Sequence, residues 1–391
     1  MGKLRRAAVA ALLAGSVCTL ALAQAAERAG WPKSFAETID PRARNAASAP
    51  QRLALLDDGE RALRLGDAAA AQTAFDAAAQ MLHAADAEIG LVRAALQAGE
   101  YRRALAFCAH TAGAHRDTTE PAALYAWLLR AGGQEAVALR VLDETLARAP
   151  SDALALELQR QIRDGESQPG KGLRQSRPRL APYASTLGDT VQPTAAAQTA
   201  GSAVLIDNGR AALVPLASVA QAKTIWLRNG LGQTVSATMR RALPSFDMAL
   251  LDLNTPLDAG ASPTIAARGP FAGSPGFVAD YGPKDDYEAA WPMLRAGFLG
   301  GAIGGDAQAR RLGIEMPGGA HGGPVFDSAG RLAGIASHAA AGDDRFMPLS
   351  ALRSELGAML GVADDAPSQR MPLDEAYERA MRIALQVIVE R

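Results

Sequence analysis

The chain has 391 residues, of which 49% are hydrophobic and 21% are charged, and its formal net charge is −1. This composition is that of an ordinary globular protein, long enough for two or three domains. The near-balance of acidic and basic residues excludes a strongly basic protein, so it indicates neither a nucleic acid nor an anionic membrane surface as a partner.

The first 23 residues have the three parts of a secretory signal peptide. Three basic side chains occur within the first six residues, residues 7–23 are apolar, and the run ends in the small-x-small pattern Ala21-Leu22-Ala23. A membrane span needs about 20 strongly apolar residues, so cleavage is favoured over a retained anchor. We predict a bacterial periplasmic or secreted protein with no membrane attachment after cleavage.

Residues 24–50 form a lead segment punctuated by prolines, and residues 51–164 are rich in Ala and Leu. In the second segment Gly66, Gly99 and Gly133 recur 33 and 34 residues apart, each before an Ala-rich helix. This pattern resembles that of tetratricopeptide repeats (TPRs). The resemblance implies an α-helical solenoid that binds a peptide or a partner protein. A plain helical bundle, with glycine as a helix stop, is the alternative.

Three histidines and one cysteine lie in this helical segment. His83, His110 and His115 do not have the spacing of a metal-binding motif, so we interpret them as surface or packing residues. Cys108 falls at an inward helical position and is expected to be a buried small hydrophobe. It is the single cysteine beyond the signal peptide, so no intramolecular disulfide is expected. No cofactor is predicted.

Residues 165–182 form a polar linker, and the sequence changes its pattern after it. Residues 183–358 contain about a dozen short β-branched or alternating runs bounded by Gly, Pro, Asn or Asp, with no long helical period. This pattern predicts an all-β barrel or sandwich.

Within residues 183–358 the order of motifs resembles that of trypsin-like serine proteases of the bacterial periplasmic type. The stretch PGGAHGGPVFDSAGRLAGIASH, residues 317–338, has the family's glycine-rich loop followed by two strands. The resemblance implies two β-barrels, at about residues 183–260 and 261–358. It also implies that the loop of Gly319, His321 and Gly322 would present backbone N–H groups to an oxyanion.

The same resemblance places the three catalytic positions of the family. Asp247 in FDMALLDL matches the orienting aspartate, whereas the general-base position falls on Ala217 and the nucleophile position on His321. Losing one member of such a triad costs on the order of 10⁴ to 10⁶ in turnover. An exchanged pair of Ser218 and His321 is disfavoured because adjacent residues on a strand face opposite sides. We therefore predict an inactive protease-like domain.

Ser337 and His338 end the strand that, by the resemblance, lines the substrate cleft. A zinc site of Asp247, His321 and His338 lacks a sequence signature, so we predict no metal there. The backbone at residues 319–321 could instead bind an anionic group such as a peptide carboxylate.

Residues 359–391 read as a polar linker followed by an amphipathic helix. Eight side chains lie largely on one helical face: Leu373, Ala376, Tyr377, Ala380, Met381, Ile383, Ala384 and Val387. Docking of this helix on the rest of the chain is the simpler interpretation, and binding to a partner or dimerisation is the alternative.

The sequence therefore predicts a multidomain α and β protein: a TPR-like solenoid, an all-β trypsin-like double barrel and a C-terminal helix. The expected function is binding of a protein or peptide, without hydrolysis, through the repeats and the vestigial cleft. One alternative is an active serine-type endopeptidase with an atypical active site. Another is a TPR adaptor in which the barrels are purely structural.

Overall fold

A computed structural model describes residues 49–166, 191–260, 264–282, 290–303, 306–317, 322–338, 344–364 and 369–391. The predicted signal peptide, nearly all of the lead segment and most of the linker at residues 165–182 lie outside these ranges. None of the helices in these ranges combines the length and the apolar character that crossing a membrane requires.

The described chain begins with a helical region of seven helices. They are α1 (Pro50–Leu65), α2 (Ala68–Met81), α3 (Ala85–Gln97), α4 (Tyr101–Ala114), α5 (Glu120–Ala131), α6 (Glu135–Arg148) and α7 (Ala153–Arg163). Gly66, Gly99 and Gly133 stand between α1 and α2, α3 and α4, and α5 and α6, with φ angles of 79°, 78° and 77°. Glycine adopts this left-handed conformation at no steric cost, which allows each pair to turn sharply. The prediction of a helical region is confirmed.

The first β-barrel is closed by a strand from the far end of the chain. Its strands are β1 (Gln198–Ile206), β2 (Ala211–Pro215), β3 (Thr224–Asn229), β4 (Thr234–Leu243), β5 (Met248–Leu253) and β14 (Ala384–Glu390). A helical turn, α8 (Leu216–Val219), follows β2. The barrel order is β1-β14-β3-β4-β5-β2, so β14 separates β1 from β3.

The second barrel contains the remaining long strands. They are β7 (Ser274–Asp280), β8 (Met293–Ile303), β9 (Asp306–Gly313), β10 (Pro324–Asp327), β11 (Leu332–His338) and β12 (Asp344–Pro348), and the pairing of β10 with β11 closes the ring. Two short strands, β6 (Ile265–Ala266) and β13 (Ala363–Asp364), extend the sheet beside β11. Helix α9 (Leu349–Leu356) follows β12. The predicted all-β double barrel is confirmed.

The C-terminal segment is only partly the predicted helix. Helix α10 spans Leu373–Ile383, which confirms a C-terminal helix, but its predicted continuation through Val387 is wrong because strand β14 begins at Ala384. In β14, Val387 pairs with Gly201 of β1 on one side and with Leu227 of β3 on the other. Consecutive β-branched residues favour a strand, and the six-stranded barrel supplies partners for both edges. The end of the chain is therefore part of the first barrel.

The helical region packs directly on the barrels. The rings of Trp127 in α5 and Trp291, just before β8, lie 4.6 Å apart, and those of Tyr101 in α4 and Tyr377 in α10 lie 4.5 Å apart. All four side chains are buried and belong to one continuous hydrophobic core that includes both barrels. The relative position of helices and barrels is thus held by aromatic packing.

Candidate functional site

The first barrel brings Ala217 and Asp247 to the same end. Strand β2 ends at Pro215 and runs into α8, which holds Ala217, while Asp247 immediately precedes β5. The backbone N–H of Leu216 donates to the carbonyl oxygen of Asp247 at a distance of 3.0 Å. Ala217 is exposed. The position predicted for a general base is therefore next to the predicted aspartate, and it carries only a methyl group.

Asp247 occupies a left-handed backbone conformation, with φ 53° and ψ 36°. It ends a tight turn over Pro244–Phe246, in which its N–H donates to the carbonyl oxygen of Pro244 at 3.1 Å. Aspartate tolerates this conformation better than most residues. The side chain is exposed, and it makes no hydrogen bond or ion pair with any residue in the described ranges.

The glycine-rich loop ends at the junction of the two barrels. Gly322 has φ 106°, and its N–H donates to the carbonyl oxygen of Ala336 in β11 at 2.9 Å. A Cβ atom at position 322 would lie 1.9 Å from the carbonyl oxygen of Ser202 and 2.5 Å from Cδ of Pro215. Only glycine fits against these two strands of the first barrel. Gly322 therefore lies close to the start of α8, which carries Ala217.

Gly323 packs just as tightly against the second barrel. A Cβ atom on Gly323 would lie 2.3 Å from the carbonyl oxygen of Ala279 and 3.0 Å from Cβ of Asp280. Gly319 and His321, which the sequence assigned to the same loop, lie outside the described residues. The paired glycines thus have a packing reason for their identity that does not depend on catalysis.

A buried hydroxyl group joins the barrels beneath this loop. The side-chain oxygen of Ser202 in β1 accepts a hydrogen bond from the Tyr281 N–H at 2.7 Å and donates one to the Tyr281 carbonyl oxygen at 3.2 Å. Tyr281 directly follows β7, and its own hydroxyl donates to the carbonyl oxygen of Ala384 in β14 at 3.4 Å. The two barrels are therefore joined beneath the loop by buried, satisfied hydrogen bonds, which make this junction rigid.

Ser337 and His338 lie at the end of β11, where the sequence placed the cleft-lining residues. Nδ1 of His338 lies 3.1 Å from Oδ1 of Asp344 on the paired strand β12. The second oxygen of Asp344 accepts a hydrogen bond from the N–H of Met316 at 3.1 Å. This contact orients the His338 imidazole, whereas Ser337 is half-buried and points to the other face of the strand.

A buried carboxylate that the sequence reasoning missed lies beside Gly323. Asp280 ends β7 with 1% of its side chain exposed, and its Oδ1 lies 3.3 Å from Nε of Arg295 on β8. Its Oδ2 is buried without a hydrogen-bond partner among the described residues. Burial raises the pKa of Asp280 to about 6, against the opposing charges of Arg295 and Arg130, and the charge of Asp344 raises it further.

We expect this carboxylate to make stability depend on pH. An unfolded aspartate has a pKa of about 3.9, so between about pH 4 and 6 the folded chain binds more protons than the unfolded chain. Stability therefore falls as pH rises through this window, by about 2 kcal/mol when the folded and unfolded pKa values differ by about 2. Arg295 on β8, Arg130 on α5 and Asp344 on β12 are the charged groups that act on Asp280.

Urea unfolding of the wild type and of Asp280→Asn at pH 4 and pH 7 measures this effect. The free energy of unfolding of the wild type, relative to the variant, should be about 2 kcal/mol lower at pH 7 than at pH 4, because an unfolded aspartate is already about half ionised at pH 4. All other titrating groups are common to both chains and cancel in this difference. The same relative stability at both values would show that Asp280 titrates normally.

The position predicted for the general base of a serine protease holds no titratable side chain. An imidazole is needed there to take the proton of the nucleophile. Ala217 has no such group, and the sequence has no histidine between residues 116 and 320. The two predicted triad positions in the first barrel thus hold a carboxylate at Asp247 and a methyl group at Ala217. Ser218 lies in helix α8 and not on a strand, so the strand-based reason for disfavouring a Ser218–His321 pair is wrong.

Two closed six-stranded barrels in tandem constitute the trypsin-like protease fold, and this chain has that fold. A scan against protein-family models and a search of curated proteins found no match. Among solved structures, the apo MamO protease domain from Magnetospirillum magneticum is 18% identical, with a TM-score of 0.31, over 41% of this chain and 95% of that domain. The HtrA-type protease AlgW with a decapeptide is 19% identical, with a TM-score of 0.34, over 42% of this chain and 53% of AlgW. The chain thus matches about half the length of AlgW.

Proposed function

We propose that this chain is an exported trypsin-like pseudoprotease that binds a protein or peptide without hydrolysing it. The helical region contributes as a set of TPR-like repeats, and the cleft between the barrels contributes the second contact surface. The proposed location is the periplasm or the exterior of a bacterial cell, after removal of the signal peptide.

The proposal is based on the exposed methyl group of Ala217, at the position where the resemblance expects an imidazole. The backbone hydrogen bond between Leu216 and Asp247 supports this proposal, because it brings the predicted aspartate near position 217. The proposed site therefore keeps a carboxylate at Asp247 but has no imidazole at position 217 for it to orient. This pattern supports loss of catalysis with retention of the cleft.

The cleft keeps features that suit an extended peptide. Asp247 offers an exposed carboxylate that pairs with no described residue, and the Ser202–Tyr281 hydrogen bonds join the two barrels. A rigid site loses less conformational entropy when a ligand binds. The N–H groups of residues 319–321 remain a proposed contact for a carboxylate of the ligand.

The helical region supports a role in binding through its regularity. The glycines between α1 and α2, α3 and α4, and α5 and α6 have nearly the same φ angle, which supports the proposal of three TPR-like helix pairs before α7. Stacked helix pairs of this kind form extended surfaces suited to a peptide or a partner protein. Because the helices pack on the barrels through Trp127 and Tyr101, we propose that both parts contact one ligand.

Unfolded casein with a fluorescent label is the probe for this proposal, with the chain lacking residues 1–23. Fluorescence anisotropy reports binding when it rises and hydrolysis when it later falls. Ala217→Trp fills the cleft with an indole at an exposed position and should weaken binding at least about 10-fold. Ala358→Trp is the matched control, because Ala358 is also exposed but lies beside Gly209, at the opposite end of β2.

A further inference from the structure

A cluster of three histidines around one buried glutamate lies in the helical region, away from the cleft. His83 precedes α3, Glu88 is in the first turns of α3, His110 is in α4, and His115 follows α4. These are three of the five histidines in the chain. More than half of the histidines in the chain therefore surround a single carboxylate.

The nitrogen and oxygen atoms of this cluster lie close to one another. Nε2 of His83 lies 2.6 Å from Oε1 of Glu88, and Nε2 of His115 lies 3.3 Å from Oε2 of Glu88. Nε2 of His110 lies 3.9 Å from Oε1 of Glu88. The ligand atoms of His83, Glu88 and His115 are all within 4.8 Å of one another.

Two of these groups are buried with unsatisfied polar atoms. Glu88 is 2% exposed and His115 is 7% exposed. Glu88 Oε2 and His115 Nε2 form a buried ion pair at 3.3 Å, but neither atom makes a hydrogen bond of standard geometry with a described residue. Buried polar atoms without such a hydrogen bond are favourable positions for a further group that contacts both of them.

The position of the cluster follows from the geometry of a helix hairpin. Helices α3 and α4 are antiparallel and turn at Gly99, so residues at equal distances from Gly99 lie side by side. His83 and His115 are both 16 residues from Gly99, and Glu88 and His110 are both 11 residues from it. The cluster therefore sits at the open end of the hairpin, opposite the turn that packs near Leu231 of the first barrel.

We propose that His83, Glu88, His110 and His115 bind a divalent transition-metal ion of the zinc class. Three imidazole nitrogens and one carboxylate oxygen are ligands that suit zinc in a tetrahedral site. With metal–ligand bonds of about 2.0–2.2 Å, tetrahedral ligand atoms lie about 3.4 Å apart, which is within the range of separations in the cluster. His83 and His110 are 61% and 56% exposed, so their imidazoles can rotate to complete the site.

Four protein ligands would leave no open position for a substrate, so the site is structural. It clamps the beginning of α3 to the end of α4 and thereby stabilises the middle helix pair of the repeats. The inference rests on the helical region alone and is independent of the function proposed for the cleft.

The test uses untagged, chelator-treated protein and zinc chloride. Competition with a chromogenic chelator measures the affinity and the stoichiometry, and thermal unfolding measures the stabilisation. We expect the wild type to bind one zinc ion and to unfold at a higher temperature with zinc. His83→Ala and His110→Ala should each weaken binding at least about 10-fold, and the double variant should lose the thermal shift. Both positions are exposed, so these variants are expected to fold.

His338→Ala is the control, since it removes a histidine outside the cluster and should leave zinc affinity unchanged. Glu88→Gln keeps the shape of the buried side chain but removes its charge, and it should also weaken binding. The proposal is overturned if the wild type does not bind zinc at micromolar concentration. It is also overturned if His83→Ala, His110→Ala and His338→Ala all bind zinc as the wild type does.

Discussion

Removal of residues 384–391 is expected to abolish the cooperative folding of the first barrel. Strand β14 pairs with β1 on one side and with β3 on the other, and its first six residues are buried. Without it, two long strand edges lose their partners, and a core that includes Leu385, Val387 and Val389 is opened to water. Unpaired apolar edges of this kind aggregate.

Circular dichroism and urea unfolding of the truncated chain measure this effect. We expect loss of the cooperative transition and aggregation at micromolar concentration. Deletion of Arg391 alone is the matched control, because this exposed residue lies beyond the strand, and it should change the free energy of unfolding by less than about 0.5 kcal/mol. Leu385→Ala, which leaves the pairing intact, should cost about 2–5 kcal/mol. If the truncated chain unfolded with the same cooperative transition as the wild type, β14 would not be needed to close the barrel.

Gly322→Ala is expected to cause the next largest loss in the free energy of unfolding. The φ angle of 106° costs any L-residue about 1–2 kcal/mol. The new methyl group would also lie 1.9 Å from the carbonyl oxygen of Ser202, and such overpacking adds about 1–3 kcal/mol. Relief of this contact requires the two barrels to move apart at the cleft, so we also expect weaker binding of the casein probe.

Gly273→Ala separates the two contributions. Gly273 has a φ of 86°, but a Cβ atom there would meet nothing within 4 Å. It should therefore show the backbone cost alone, and the free energy of unfolding from urea titrations should be lower for Gly322→Ala. Equal costs for the two variants would mean that Gly322 does not pack against the first barrel as described.

The motif order predicted the double barrel because its turns and glycines have local physical causes. Gly322 and Gly323 were recognised by resemblance, and the structure adds the packing reason for both. The same resemblance assigned two triad positions to Ala217 and Asp247, and the residue before Ala217, Leu216, is hydrogen-bonded to Asp247. Local sequence thus sufficed where strand ends and tight turns decide the geometry.

Strand β14 could not be predicted in the same way. Its residues follow α10 without a turn residue, and Ala384 and Val387 continue the helical spacing of apolar positions. What makes them a strand is the gap between β1 and β3, which are far away in the sequence. Tertiary context therefore overrode the local pattern.

The histidine cluster and Asp280 were also missed, for a related reason. A metal-binding motif has ligands one or a few residues apart, whereas His83 and His115 come together only because a hairpin pairs them. Their equal distances from Gly99 were a usable signal once α3 and α4 were assigned. Asp280 could have been noticed as a charged residue that ends an apolar run, although its burial depends on β8 and α5.

The anisotropy of labelled casein, followed over time with the chain in excess, tests most directly whether the protein binds without hydrolysis. We expect an immediate rise that stays constant for hours, and a smaller rise with Ala217→Trp than with Ala358→Trp. A rise followed by a decline that His321→Ala abolishes would show an active endopeptidase with an atypical site. No rise at all, or equal rises for the two tryptophan variants, would contradict peptide binding in the cleft.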